Sequence, residues 1–162
     1  MFPCNLANVE NRELKTEQEF VDFGFSTMEN AHEYSIVANL IWENCELFRK
    51  TSCAMVTNAA LACELYMKSI IALSSKEQAR GHLLNELFEQ INSEDIKKQI
   101  QSNLPYSQDD FLNSLNDISD AFRKVRYLNE STGMAIEAEF IIRFMNSLKK
   151  ICTKLYEEQL NV

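Results

Sequence analysis

The segment TSCAMVTNAALACELYMKSIIAL, residues 51–73, decides the fold predicted for this 162-residue chain. Its apolar residues form two neighbouring stripes at helical spacing, so the helix is apolar on most of its circumference. Such a helix belongs in the middle of a bundle, and its many alanines let neighbouring helices approach closely. Glu64 and Lys68 are its main charged residues, and they lie one helical turn apart.

A first long helix is predicted before this segment. It is expected to start after a cap at Ser26 or Thr27 and to run to about Phe48. Residues 1–26 are therefore predicted to be a loose lead-in, and residues 27–162 the helical domain. Apolar residues at steps of three and four define the face of this helix that is predicted to be buried: Tyr34, Val37, Ile41, Cys45 and Phe48.

Serine caps mark the helices of the second half of the chain. A short helix is predicted over 82–91, and Ser93 and Ser107 are the predicted N-caps of the next two helices. The last helix is predicted to run to about Glu158. With only three Gly and two Pro, the chain is predicted to be all-α: an up-and-down bundle of four long helices plus a short helical pair.

Composition limits the classes of function. The formal net charge of -8 repels phosphate, so broad nucleic-acid binding is not expected, although a local basic patch could still bind RNA. The five cysteines are scattered and form no close pair, so neither a disulfide framework, a metal site nor a cofactor is predicted. By its sequence, no apolar run is long enough to span a bilayer, and no signal peptide is recognisable. The predicted location is therefore the reducing cytoplasm, away from membranes.

Three stretches together resemble the HEPN domain family, and the resemblance covers roughly residues 30–155. They are AALACELYMKSIIAL with Glu64 and Lys68, GHLLNELF with Gly81 and His82, and the arginine-bearing helix end FRKVRYLNE at 122–130. The resemblance implies a helical bundle that usually forms a homodimer. In many members it also implies a metal-independent endoribonuclease site, often in toxin–antitoxin or phage-defence systems. Some members are helical partners of a nucleotidyltransferase.

The chain departs from this family at the ribonuclease site. The family site is an arginine followed four to six residues later by a histidine. Arg126 stands at the expected place, but the following YLNESTGMAI contains no histidine, and Arg123 fails in the same way. The two histidines of the chain, His32 and His82, lie elsewhere.

The residues around Arg126 support two interpretations. Cleavage of RNA without a metal needs an acid, a base and a cation that steadies the charged phosphorane. Arg126 would be the cation, and Glu130 would act as the base only if burial raised its pKa. Alternatively the two residues, one turn apart, form an ordinary surface ion pair. The candidates for contact with RNA or a protein partner are Arg123, Arg126, Tyr127 and Asn129.

The remaining family-motif residues are predicted to be structural. Glu64 and Lys68 are expected to form a half-buried ion pair that fixes helix packing. His82, beside Gly81, is expected to cap a helix or to bond to a neighbouring group. Three functions stay open: a non-catalytic or divergent binding or regulatory module, a ribonuclease with an altered site around Arg126, and a helical partner of a nucleotidyltransferase. The missing histidine favours the first.

Overall fold

A computed structural model describes residues 13–121, 125 and 137–160, and within these ranges the chain is all-helical. The predicted all-α class and helical-bundle architecture are therefore confirmed. Six helices have defined bounds: α1 (Glu17–Glu43), α2 (Cys45–Ser75), α3 (Leu84–Glu89), α4 (Glu94–Ser102), α5 (Gln108–Ile118) and α6 (Ala138–Leu160).

Helix α2 packs along both α1 and α6 and forms the centre of the bundle. Its side chains at Tyr66, Met67 and Ile70 have no exposed surface. By length and composition alone α2 could cross a membrane, which was not expected from the sequence. However, 67% of its most apolar stretch is buried inside the bundle, and this is the environment of a core helix.

One hydrogen-bonded chain of three polar groups joins the three longest helices in their common core. The Ser69 hydroxyl on α2 donates to the carbonyl oxygen of Gly24 on α1 at 2.6 Å. The Cys152 thiol on α6 in turn donates to the Ser69 hydroxyl oxygen at 3.1 Å. Since both hydrogen bonds are buried, each of the three polar groups is satisfied by another helix rather than by water.

Helix α1 begins at Glu17, well before the predicted start after Ser26 or Thr27, so that prediction is wrong. Thr16 is the N-cap, and its hydroxyl accepts from the backbone N–H of Glu19 at 3.2 Å. The Glu19 carboxylate accepts from the backbone N–H of Thr16 at 3.0 Å. This reciprocal pair is a capping box, which satisfies two backbone donors that the first helical turn leaves open.

The buried face of α1 also differs from the predicted one. Tyr34 and Val37 are exposed, and of the predicted α1 face only Ile41 is buried. Small residues face the core instead, because α1 and α2 lie very close together. A Cβ atom added at Gly24 would lie 2.7 Å from Leu73 Cγ, so only glycine fits there without a shift. The buried residues of α1 are Gly24, Thr27, Met28, Ala31, Ser35, Ala38 and Ile41.

A single residue, Asn44, separates α1 from α2, so α1 ends before the predicted Phe48. The Asn44 side chain accepts from the backbone N–H of Leu47 at 3.0 Å and thereby caps α2. Thr51 then interrupts the regular helix with φ -137° and ψ 28°. Cys45–Lys50 therefore forms a short helical segment at the turn end of the bundle.

The predicted N-caps of α4 and α5 are confirmed. Ser93 accepts from the backbone N–H of Ile96 at 3.3 Å, and Ser107 accepts from that of Asp110 at 3.2 Å. Helix α3 is shorter than its predicted range of 82–91. Four aromatic rings pack against one another and hold α3, α5 and α6 together. They are Phe88 of α3, Phe111 of α5, and Phe140 and Phe144 of α6.

Candidate functional site

Two features of the surface are candidates for function, and the first is a polar cluster on α2. Glu64 is almost buried, with 12% of its side chain exposed. Its Oε1 atom accepts from Lys68 Nζ at 2.8 Å and lies 2.7 Å from His82 Nδ1. The structure thus brings together three of the residues in the family-like motifs, although His82 is 18 positions away along the chain.

Gly81 allows the connection between α2 and α3 to turn back onto α2. Its φ of +88° lies in a region that residues other than glycine rarely adopt. His82 follows immediately, and 81% of its side chain remains exposed while Nδ1 contacts Glu64. Just beyond it, the backbone N–H of Leu84 donates to the carbonyl oxygen of Ser119 at 3.1 Å, which ties the start of α3 to the end of α5.

The chemistry of the Glu64 cluster is that of a structural anchor. A buried carboxylate with two cationic or hydrogen-bonding partners holds a helix and a loop together, because separation would leave charge without water or a partner. Within the described part of the chain, the hydrogen-bond partner of the His82 ring is Glu64. Within residues 13–121, 125 and 137–160, no group of three or more potential metal ligands is assembled. Of the three side chains in the cluster, that of His82 is the most exposed.

A second polar contact, which is partly buried, involves the other histidine. His32 Nδ1 lies 2.9 Å from the carbonyl oxygen of Met28 and 3.1 Å from the Tyr66 hydroxyl. The Tyr66 hydroxyl donates to Ser35 Oγ at 3.1 Å. Burial raises the pKa of Tyr66, and the bond to Ser35 offsets only part of this shift. The contact therefore keeps a neutral phenol in place between α1 and α2 and offers no reactive group.

The buried thiols are unreactive for the same reason. Burial raises the pKa of Cys152 to about 12 and raises that of Cys63 further. A thiolate is the nucleophilic form of cysteine, so neither side chain supplies one at neutral pH. Cys45 and Cys53 are exposed, near the start of α2.

The residues predicted to contact or cleave RNA lie outside the described residues. These are Arg123, Arg126, Tyr127, Asn129 and Glu130. Ser119, four positions before Arg123, bonds through its backbone and side chain to the start of α3. The predicted ribonuclease site and the predicted surface ion pair both stay predictions.

The second candidate feature is an apolar surface on α1, which we call the exposed α1 face: Tyr34, Ile36, Val37 and Leu40. Ile36 is 54% exposed and Leu40 is 60% exposed. The four residues fall within seven positions of one helix, where spacings of three and four make side chains neighbours. Isolated exposed apolar residues are ordinary, whereas a contiguous patch marks a surface that binds another molecule.

The exposed α1 face was not predicted, although a signal for it exists in the sequence. Residues 34–41 contain apolar side chains on more than one side of the helix, more than a single buried face can absorb. The spacing of three and four predicted that Tyr34 and Val37 lie inside, whereas the core takes Ser35 and Ala38. Two sets of residues at helical spacing, one small and one large, indicate that the core takes one side of α1 and that large apolar side chains lie on another.

Comparisons of this chain with protein-family models, with curated proteins and with solved structures each find no match. The geometry of the described residues therefore carries the functional argument. Of the two candidate features, the Glu64 cluster stabilises the fold, and the exposed α1 face is open to a partner.

Proposed function

We propose that this chain is a non-catalytic helical binding module that works as a homodimer through the exposed α1 face. The observation that carries the proposal is the concentration of exposed apolar side chains at Tyr34, Ile36, Val37 and Leu40. The other exposed large apolar residues of the described ranges, Phe25, Leu47 and Leu160, lie far from one another in the sequence. No buried side-chain polar atom in these ranges lacks a hydrogen-bond partner. The α1 face is thus the surface that gains most from being covered.

The expected strength of this association follows from the apolar side chains. Covering the exposed half of an aliphatic side chain contributes roughly 1 kcal/mol. Three such residues on each of two copies give roughly 6 kcal/mol, which is comparable with the lower estimates of the cost of association, about 4–15 kcal/mol. Tyr34 and polar contacts at the rim must add to this. The homodimer is therefore expected to be reversible and to depend on protein concentration.

The family resemblance supports the same function. It implies a HEPN-like helical bundle that usually dimerises, and the sequence pattern predicts four long helices and a short helical pair in that bundle. In this chain the motif residues Glu64, Lys68 and His82 meet in a structural anchor. A role in a toxin–antitoxin or phage-defence system, and a nucleotidyltransferase or RNA as a further partner, are implied by the resemblance alone and stay predictions.

The ribonuclease alternative rests on Arg126 and Glu130, and no described contact favours it. Its test is incubation of the protein with tRNA and single-stranded RNA in excess EDTA, beside an Arg126→Ala variant. Cleavage that disappears in the variant would establish an altered ribonuclease site. A binding module without activity leaves the RNA intact in both samples.

Sedimentation equilibrium under reducing conditions tests the homodimer. The unmodified chain is expected to show a mass that rises from monomer to dimer with concentration. Leu40→Glu places a charge in the middle of the exposed α1 face and is expected to keep the protein monomeric. Gln78→Glu adds the same charge at an exposed position in the α2–α3 connection and serves as the control. A monomer at every concentration, or equal association of both variants, would contradict the proposal.

A further inference from the structure

Acidic residues lie at one end of the exposed α1 face, and basic residues lie beyond its other end. Helix α1 contains no lysine or arginine, and Glu29 and Glu33 precede the apolar residues on its exposed side. Beyond the turn, the short segment at the start of α2 carries Arg49 and Lys50. Lys50 is paired with Glu46 at 2.9 Å, whereas Arg49 and Glu33 are exposed and make no ion pair within the described part of the chain.

The spacing of these charges distinguishes two ways of pairing α1 with a second copy. At a rise of 1.5 Å per residue, Glu33 lies about 10.5 Å before Leu40, while α1 ends about 4.5 Å after Leu40. In an antiparallel pair centred on Leu40, Glu33 of the second copy therefore lies about 6 Å beyond the end of α1, at the level of the turn segment that carries Arg49. A parallel pair in register would instead set Glu33 beside Glu33, where like charges repel.

We infer that two copies of this chain pack their α1 helices antiparallel, with Leu40 at the twofold axis and Glu33 facing Arg49 of the other copy. Leu40 is the most exposed residue of the exposed α1 face, so an axis at Leu40 buries the most apolar surface. A twofold axis repeats the contact, and each dimer then contains two Glu33–Arg49 pairs. This inference rests on the proposed homodimer and specifies its arrangement.

Charge reversal tests the pairing of Glu33 with Arg49. Glu33→Arg and Arg49→Glu each turn two attractive contacts into two repulsive ones and are expected to raise the dimer Kd about five- to thirtyfold. The double variant restores both contacts with reversed polarity and is expected to return Kd to within about twofold of the original. Lys98→Glu makes the same charge change as Arg49→Glu, but at an exposed position of α4, and is expected to leave Kd nearly unchanged.

Disulfide cross-linking tests the position of the axis. The background carries serine at the exposed Cys45 and Cys53 and also at Cys4, because free thiols at these positions would form competing disulfides. Leu40→Cys is expected to form a covalent dimer on mild oxidation, since a disulfide needs Cα atoms within about 7 Å. Ser26→Cys is the control. In the antiparallel pair its two copies lie about 42 Å apart along the axis and cannot join, whereas a parallel pair joins both variants.

The two experiments separate this arrangement from the homodimer itself. If sedimentation shows only monomer, both proposals fail, and the exposed α1 face serves a different partner. If a dimer forms but Leu40→Cys does not cross-link, and the double charge reversal does not restore Kd, the antiparallel arrangement fails while the homodimer stands. Cross-linking at Leu40→Cys alone together with recovery in the double variant is the result that we expect.

Discussion

Substituting Glu64 by glutamine is expected to destabilise the fold far more than removing its partner His82. Glutamine keeps the size and shape of the side chain but carries no charge. The Lys68 ammonium, which lies 2.8 Å from Glu64 Oε1, would then lose its carboxylate. Only 18% of the Lys68 side chain is exposed, so water can replace the lost partner only in part.

The expected losses of unfolding free energy follow from the exposed fractions of the Lys68 and His82 side chains. Breaking a fully buried ion pair by removing one partner costs about 3–5 kcal/mol. Because Lys68 retains some contact with water, we expect Glu64→Gln to cost about 2 kcal/mol of unfolding free energy. His82 is 81% exposed, so its contact with Glu64 is screened by solvent. His82→Ala is accordingly expected to cost about 0.2–1 kcal/mol.

Urea unfolding followed by circular dichroism measures both changes. With a slope of about 2 kcal/mol per molar urea, Glu64→Gln should lower the midpoint by about 1 M, and His82→Ala by less than about 0.5 M. A Glu64→Leu, Lys68→Met double variant removes both charges and should lose less stability than Glu64→Gln alone. If His82→Ala costs as much as Glu64→Gln, or the double variant is the least stable, the cluster is not anchored by a nearly buried carboxylate.

Three further predictions concern stability. Gly24→Ala should lower the melting temperature, because its Cβ would lie 2.7 Å from Leu73 Cγ and overpacking outweighs a gain in helix propensity of about 1 kcal/mol. A higher melting temperature would show that α1 and α2 separate easily. The raised pKa of Cys152, about 12 instead of 9.0, means that its contribution to stability is complete below about pH 9 and is lost as the pH rises towards 12. Urea midpoints between pH 8 and 10.5 should therefore fall less steeply in Cys152→Ala than in the original chain, and equal slopes would refute this. Ser107→Ala removes the cap that accepts from the backbone N–H of Asp110, and it should cost about 1 kcal/mol in the same assay, while Ser107→Asn should cost much less.

Features that depend on a few neighbouring residues could be predicted from the sequence. Ser93 and Ser107 are N-caps because a serine side chain reaches a backbone N–H three residues away. The same local logic applies to Thr16, whose partner Glu19 stands three residues later in a capping box that was not predicted. The start of α1 was placed too late because the residues after it show no strong apolar period.

Features that depend on helix–helix distance could not be predicted in the same way. Which side of α1 faces α2 is decided by how closely the two helices approach, and Gly24 and Ala38 permit an approach that Val37 would prevent. A period count weights large apolar residues and is insensitive to this. The contact between Glu64 and Lys68 is visible as a four-residue spacing, whereas that between Glu64 and His82 depends on the left-handed turn at Gly81.

The hydrogen-bonded chain from Cys152 through Ser69 to Gly24 has a consequence for synthesis on the ribosome. Ser69 and Cys152 are separated by 83 positions, so α6 arrives long after α1 and α2 have been made. At about 5–20 residues per second, roughly 4–17 seconds pass between the synthesis of Ser69 and that of Cys152. During that interval the side of α2 that α6 will cover stays open to solvent. The core that the three longest helices share is thus expected to be completed only after α6 has emerged.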